Sequence, residues 1–169
     1  MNSILQIRTS RLFVDSPIAG VVVAPLPAHH DSRGWLMELY REDQTDAGPL
    51  PAMAYASMTL PGVSRGPHEH AWQTDRFCFF GPSDFMIVLW DNRTNSPTFN
   101  HRMKLIVGQS APSQITVPNG VVHGYRNIGA ESGLILNLPD QLYRGPCKGS
   151  EVDEIRHEQD PDSPFHLND

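Results

Sequence analysis

The sequence predicts an all-β protein, a sandwich or barrel, and three observations carry that expectation. Thirteen glycines and fifteen prolines are spread along 169 residues, which leaves little uninterrupted chain for long helices. Short apolar or alternating runs, bounded by Gly, Pro, Asn or Asp, recur from one end to the other. With 39% hydrophobic residues, the length suits one domain, 1–169, with a real core and is short for two.

The runs fall at residues 20–24, 35–40, 53–60, 76–80, 85–90, 102–107, 114–117, 121–127 and 133–138. The first is β-branched through its centre, and 85–90, Phe-Met-Ile-Val-Leu-Trp, is apolar without a break. The run at 102–107 opens in alternation, Arg-Met-Lys-Leu, as a strand with two different faces does. These strands make a barrel core over about 20–145. Residues 41–47 would suit one helical turn, and the acidic, proline-punctuated tail 149–169 reads as a strap over the barrel or a frayed end. Aromatic residues such as Trp90, Phe77, Phe79, Phe80 and Phe85 lie in the strand runs and are expected in the core.

Thirteen Lys and Arg against nineteen Asp and Glu give a formal net charge of -6, which argues against sequence-independent binding of nucleic acid or anionic lipid. The first fifteen residues carry no basic and apolar leader pattern, and no apolar run approaches the ~20 residues of a membrane span, so a cytoplasmic protein is expected. Cys78 and Cys147 are read as free thiols without a catalytic role.

Three of the eight histidines sit in patterned surroundings. Along a strand, residues two apart share a face, so His68 and His70 present two imidazoles to the barrel interior while Glu69 points away. Residues 62–81 read G-x5-H-x-H-x4-D-x5-G and residues 118–127 read P-x-G-x2-H-x3-N. These resemble the two cupin motifs, and the resemblance implies a cupin-type double-stranded β-helix, or jelly-roll barrel, with metal ligands His68, His70, Asp75 and His123. Asp75 stands where the motif has a Glu, so either the strand bulges to bring it in or Gln73 takes that position. Such an imidazole-rich site suits Fe, Mn, Ni or Zn; without metal the same imidazoles serve as bases or hydrogen-bond partners.

Four further motifs occur in order: Asp31-Ser32-Arg33-Gly34 with Glu38, Val63-Ser64-Arg65-Gly66-Pro67-His68, Asp91-Asn92-Arg93 with Ser96-Pro97-Thr98-Phe99, and Pro118 to Tyr125. Over roughly residues 20–165 the chain resembles the dTDP-4-dehydrorhamnose 3,5-epimerase family, a cupin branch. The resemblance implies an isomerase that removes the acidic proton beside the ketone of a nucleotide-linked 4-keto-6-deoxy sugar, with His68 as base and no cofactor. It places Arg65 at the enolate charge or a phosphate, Arg33 at a nucleotide phosphate of a neighbouring subunit, and Glu38 and His123 in the sugar pocket. A homodimer with crossing N-terminal strands is implied as well.

The chain also departs from that family. Asn137 stands where the family has the tyrosine that reprotonates the enolate, Thr74 stands near its carbonyl lysine, and its polar residues before R-G-x-H fall at Met53 and Tyr55. The family's C-terminal carboxylate partner of the catalytic histidine has no evident counterpart. Trp35 and Trp72 flank site motifs and could stack a base or sugar ring. The alternatives to the epimerase are a metal-dependent cupin enzyme and a sugar-nucleotide-binding relative without catalysis.

Overall fold

The computed structural model describes residues 11–43 and 48–167. In chain order the strands are β1 (Val14–Asp15), β2 (Val22–Pro25), β3 (Ala28–Asp31), β4 (Gly34–Met37), β5 (Tyr55–Thr59), β6 (Ser64–Glu69), β7 (Asp75–Phe79), β8 (Asp84–Asp91), β9 (His101–Gly108), β10 (Ser113–Val117), β11 (Val121–Asn127), β12 (Gly133–Asn137) and β13 (Ile155–Arg156). They form a six-stranded sheet, β1-β9-β8-β11-β6-β13, a five-stranded sheet, β2-β10-β7-β12-β5, and the β3–β4 hairpin. All pairings but β1 with β9 are antiparallel, and the two large sheets make a cupin-type jelly roll.

Alternation explains what each strand buries. Along β8, Phe85, Ile87 and Leu89 enter the core between the sheets with Phe77, Phe79, Ile115, Val117, Val121, Tyr125 and Ile135. Val88 and Trp90 point to the other side, where they join Val122 and the tail residues Phe165 and Leu167. The unbroken apolar run at 85–90 is thus buried on both faces of its sheet. Phe79, Phe85 and Tyr125 meet edge-on or tilted with ring centroids 5.4–5.7 Å apart, as aromatic quadrupoles prefer.

Several elements differ from their sequence reading. The run at 35–40 leaves the strand after Met37 because β4 belongs to a short exposed hairpin with β3, Ala-His-His-Asp, which has no strand pattern. Residues 41–43 form a turn without a helix, and residues 44–47 of the expected helical turn lie outside the described residues. Beyond residue 149 the chain lays β13 along β6, pairing Ile155 with Glu69 and Arg156 with His68.

The D-x-R-x-x-S-P-T motif is structural. Asp91, at the end of β8, has no exposed surface and accepts hydrogen bonds from Arg93 Nε (2.8 Å), Ser96 Oγ (2.6 Å) and Thr98 Oγ1 (2.6 Å). Burial alone would raise its carboxyl, but the bonds from Arg93, Ser96 and Thr98 hold it well below the usual carboxylate range. Arg93 in turn closes over the Pro118-Asn119-Gly120 turn: a Cβ at Gly120 would lie 2.6 Å from Arg93 Cγ, and its φ of +73° is one that glycine adopts freely. That turn is tied to the end of β6, for Gly120 N–H donates to the His70 carbonyl (2.8 Å) and Asn119 Nδ2 to the Ala71 carbonyl (2.9 Å).

Candidate functional site

At one end of the barrel, β6 and β11 of the larger sheet face the start of β7 in the smaller. His68 pairs directly with His123 across β6 and β11, and just beyond them the register shifts at Gly124. Gly66 permits this. At φ +74° it sits where any Cβ would be 2.7 Å from the His123 carbonyl, so the Gly of R-G-x-H is the residue that lets the two histidine strands close up. The rings gather with centroids 4.5 Å (His68–His123), 5.5 Å (His68–His70) and 5.8 Å (His70–His123) apart.

Asp75 reaches this cluster from the opposite sheet with regular β7 register, so no bulge is needed. Its Oδ2 lies 3.1 Å from His70 Nε2 and 3.2 Å from His123 Nε2. Its Oδ1 accepts from Gln73 Nε2 and Asn137 Nδ2, both at 2.8 Å. Gln73 therefore supports Asp75 instead of replacing it. Burial alone would raise the Asp75 carboxyl, but the two imidazoles hold it far below its ordinary range.

The imidazoles differ among themselves. Burial, and then repulsion from His123 and His70, push His68 down to about 2, so it is neutral. For His70, burial lowers the pKa but contact with Asp75 and the Asp153 carbonyl outweighs it, bringing the group up to about 8. His123 Nδ1 bonds the Val121 carbonyl at 3.0 Å, and His70 Nδ1 bonds the Asp153 carbonyl.

Asn137 has all its amide groups engaged. It accepts from Arg76 N–H (3.1 Å) and donates to Asp75 and to the Tyr55 hydroxyl (3.0 Å). Its geometry makes it an orienting group. Tyr55, on β5 opposite Asn137, is a functional candidate to which the sequence reading gave a position but no role. Burial pushes its hydroxyl up to about 12, so it keeps its proton at neutral pH.

The tail supplies two more. Glu154 Oε1 lies 3.9 Å from His68 Nδ1, a carboxylate facing that ring which the sequence reading did not find. Asp153 caps the loop after His70, accepting from the N–H groups of Ala71 (2.8 Å), Trp72 (2.8 Å) and Gln73 (3.0 Å). Both lie in the acidic tail expected to be a strap or a frayed end, and nothing in its spacing marks them.

Other sequence candidates are not brought to the cluster within one chain. Arg33 is 88% exposed at the tip of the β3–β4 hairpin and is bonded to Asp31 at 2.5 Å. Trp35 is exposed on the same hairpin, and Glu38 pairs with Arg41 at 3.2 Å. Arg65 turns toward β5, donating to Thr59 Oγ1 (3.0 Å) and the Met58 carbonyl (2.9 Å). Trp72, 78% exposed, follows His70 in the loop that Asp153 caps. The thiol of Cys78 is buried in β7 and pushed up to about 11 by that burial, which fits a packing role, while Cys147 is exposed; neither forms a disulfide.

Proton carriers converge at the end of this barrel, an arrangement that suits a cupin-fold isomerase. Comparison with known proteins makes the class specific. The chain belongs to the dTDP-4-dehydrorhamnose 3,5-epimerase family, whose model matches residues 15–149. It is 36% identical over 128 residues to a probable low-salt glycan biosynthesis epimerase, Agl13, of Haloferax volcanii, covering 75% of this chain and 81% of that protein. It is 35% identical over 126 residues to the spore coat polysaccharide biosynthesis protein SpsL of Bacillus subtilis, covering 75% and 82%. Among solved structures it shares its fold with a dTDP sugar isomerase from Desulfovibrio desulfuricans, with TM-score 0.77 and 22% identity over 89% of this chain and 92% of that one. The 4-keto-6-deoxy sugar epimerase NovW of Streptomyces spheroides superposes with TM-score 0.71 and 21% identity, covering 90% and 76%. No described helix is long and apolar enough to cross a membrane.

Proposed function

We propose that the protein epimerises a nucleotide-linked 4-keto-6-deoxy sugar, the nucleotide being dTDP as in dTDP-rhamnose synthesis, in the cytoplasm. The observation that carries this is the geometry around His68: an imidazole in the R-G-P-H run with the Glu154 carboxylate 3.9 Å from its Nδ1, and the Tyr55 hydroxyl bonded to Asn137 in the adjoining Asp75 network. A hydrogen beside the C4 ketone is acidic because the carbanion it leaves is an enolate. His68 takes that proton, and Glu154 faces the imidazolium as it forms. Tyr55, steadied by Asn137, returns a proton to the other face, so the carbon inverts. His123 lines the sugar pocket. The exchange of protons calls for no cofactor.

The phosphates need cations that bind in a fork, and arginine provides them. Arg33 stands on a hairpin that leaves Trp35 and Leu36 exposed, which supports a homodimer in which the hairpin of one subunit reaches the site of the other. Arg65 and Trp72 are taken as further contacts to the nucleotide.

The test is incubation with dTDP-4-keto-6-deoxyglucose in deuterated water. Deuterium at C3 or C5 with formation of an epimer is the expected result. No exchange with that sugar or with other nucleotide-linked 4-keto sugars would overturn the reading.

A further inference from the structure

Strand β6 turns His68 and His70 toward the barrel interior and Glu69 to the outer side of the sheet, where Trp90 and Val122 also point. Glu69 is only 7% exposed, and a carboxylate buried there has to be bonded. Its Oε1 accepts from His157 Nε2 (3.0 Å) and from Asn92 Nδ2 (2.9 Å). Asn92 Oδ1 in turn accepts from Arg11 Nη1 (2.9 Å), and the Arg11 guanidinium lies 5.3 Å from the centre of the Phe165 ring. His157 packs edge-on against that same ring, with centroids 4.7 Å apart, and Phe165 is buried with Val88, Trp90 and Val122.

The tail reaches this side by crossing the edge of β6 within five residues. Asp153 and Glu154 stand on the histidine side, Ile155 and Arg156 pair with Glu69 and His68 as β13, and His157 bonds the outer side. A pairing of two residues, both exposed, has little stability of its own. Beyond it a cavity of about 410 Å³ opens between the tail and β6, lined by Ser64, Gly66, Pro67, His157 and Phe165. The tail is therefore anchored through the His157–Phe165 pair and not along a continuous face. Glu69 holds it twice, by its main chain through Ile155 and by its side chain through His157. We propose that Glu69 and His157 are positioning residues, whose contact on the outer side of β6 fixes Glu154 beside His68 and Asp153 beside His70 on the inner side. Neither touches the reacting atoms. The effect on rate rests on the proposed sugar reaction, and the placement of the tail does not.

The test compares His157→Leu, which keeps an apolar contact with Phe165 and loses the bond to Glu69, with His157→Gln, whose amide still donates. Amide hydrogen exchange is read at residues 71–73, whose N–H groups are held by Asp153 and not by His157. Exchange there should quicken about tenfold or more in His157→Leu and return close to wild type in His157→Gln. Circular dichroism identifies folded protein, and where His157→Leu does not fold, Phe165→Leu carries the test with the same direction of change. With dTDP-4-keto-6-deoxyglucose, kcat should fall about tenfold in His157→Leu with KM nearly unchanged. In a Glu154→Gln background the same substitution should lower kcat by at most about threefold more, because His157 acts chiefly through that charge. Folded His157→Leu protein with wild-type exchange at 71–73 overturns the positioning, and so do losses of kcat that multiply in the double variant. Lost protection at 71–73 in a protein that turns over no nucleotide-linked 4-keto sugar keeps the anchor and removes the epimerase; turnover with unchanged protection does the reverse.

Discussion

Asp153 holds His70 twice over: its backbone carbonyl meets Nδ1 of the ring, and its carboxylate accepts the N–H groups of the three residues that follow. One residue of the tail therefore fixes both the direction of the imidazole and the loop carrying Trp72. Asp153→Ala keeps the carbonyl and removes the cap. Three backbone donors then turn to water, at a cost of about 2 kcal/mol. Hydrogen exchange should rise at residues 71–73 and the melting temperature should fall. Unchanged exchange in this loop would refute the coupling.

Tyr55→Phe separates the two proton transfers. The hydroxyl is bonded to Asn137 and lies across β5 and β12 from the carboxylate network. If Tyr55 is the acid and His68 the base, the variant should still wash deuterium into recovered substrate, because His68 returns the label to the face it came from. Epimer formation should fall by about 100-fold or more. Equal loss of exchange and of product would assign Tyr55 to binding instead.

Asp91 contributes stability with a defined sign. Its folded carboxyl lies well below the unfolded value of about 3.9, because Arg93, Ser96 and Thr98 outweigh its burial. The unfolded chain therefore takes up a proton first as the medium is acidified. The stabilisation is complete above the unfolded pKa and is lost as pH falls through the folded one. Asp91→Asn should cost about 3 kcal/mol near neutrality by leaving Arg93 unmatched, and the loss should shrink on acidification below about pH 4. Denaturant melts of both proteins across that range give the difference directly. A constant gap would show that the carboxylate charge is not what matters.

The same comparison shows what local pattern reveals. Runs such as 85–90 and 121–127 declare strands because burial on a sheet requires alternating or continuous apolar residues, and β8 and β11 lie there. The spacing of His68 and His70 was legible for the same reason. Strand β6 itself, Ser-Arg-Gly-Pro-His-Glu, has little strand propensity and forms because β11 and β13 pair with its two edges. Asp153 and Glu154 reach the histidines only through that long-range pairing, so in the sequence they are indistinguishable from the solvated acids around them. The pairing of Tyr55 with Asn137 was hidden likewise, since it depends on the register of β5 with β12.

Gly66→Ala tests the close approach of the histidine strands. The methyl would meet the His123 carbonyl at 2.7 Å and force an alanine to φ +74°. Strain and clash together predict about 2–4 kcal/mol of destabilisation. The folded fraction should show altered ring resonances for both His68 and His123, since the carbonyl and the two rings move together. A variant with wild-type stability and spectra would mean that β6 has slack there.

Glu154→Gln asks whether the tail takes part in catalysis. At 3.9 Å from His68 Nδ1 the contact is too long for a hydrogen bond, so its effect is that of a charge beside a ring that becomes cationic as it takes the proton. Glutamine keeps the shape, while the charge goes. Glu154 also pairs with Arg156 at 2.6 Å near the surface, an interaction that contributes at most about 1 kcal/mol, so the melting temperature should barely move. Because the charge matters only once His68 holds the proton, kcat should fall about 10- to 100-fold with KM nearly unchanged, and the deuterium wash-in rate should fall with it. A rise in KM at constant kcat would place Glu154 against bound substrate, and unchanged kinetics would leave His68 working without a partner.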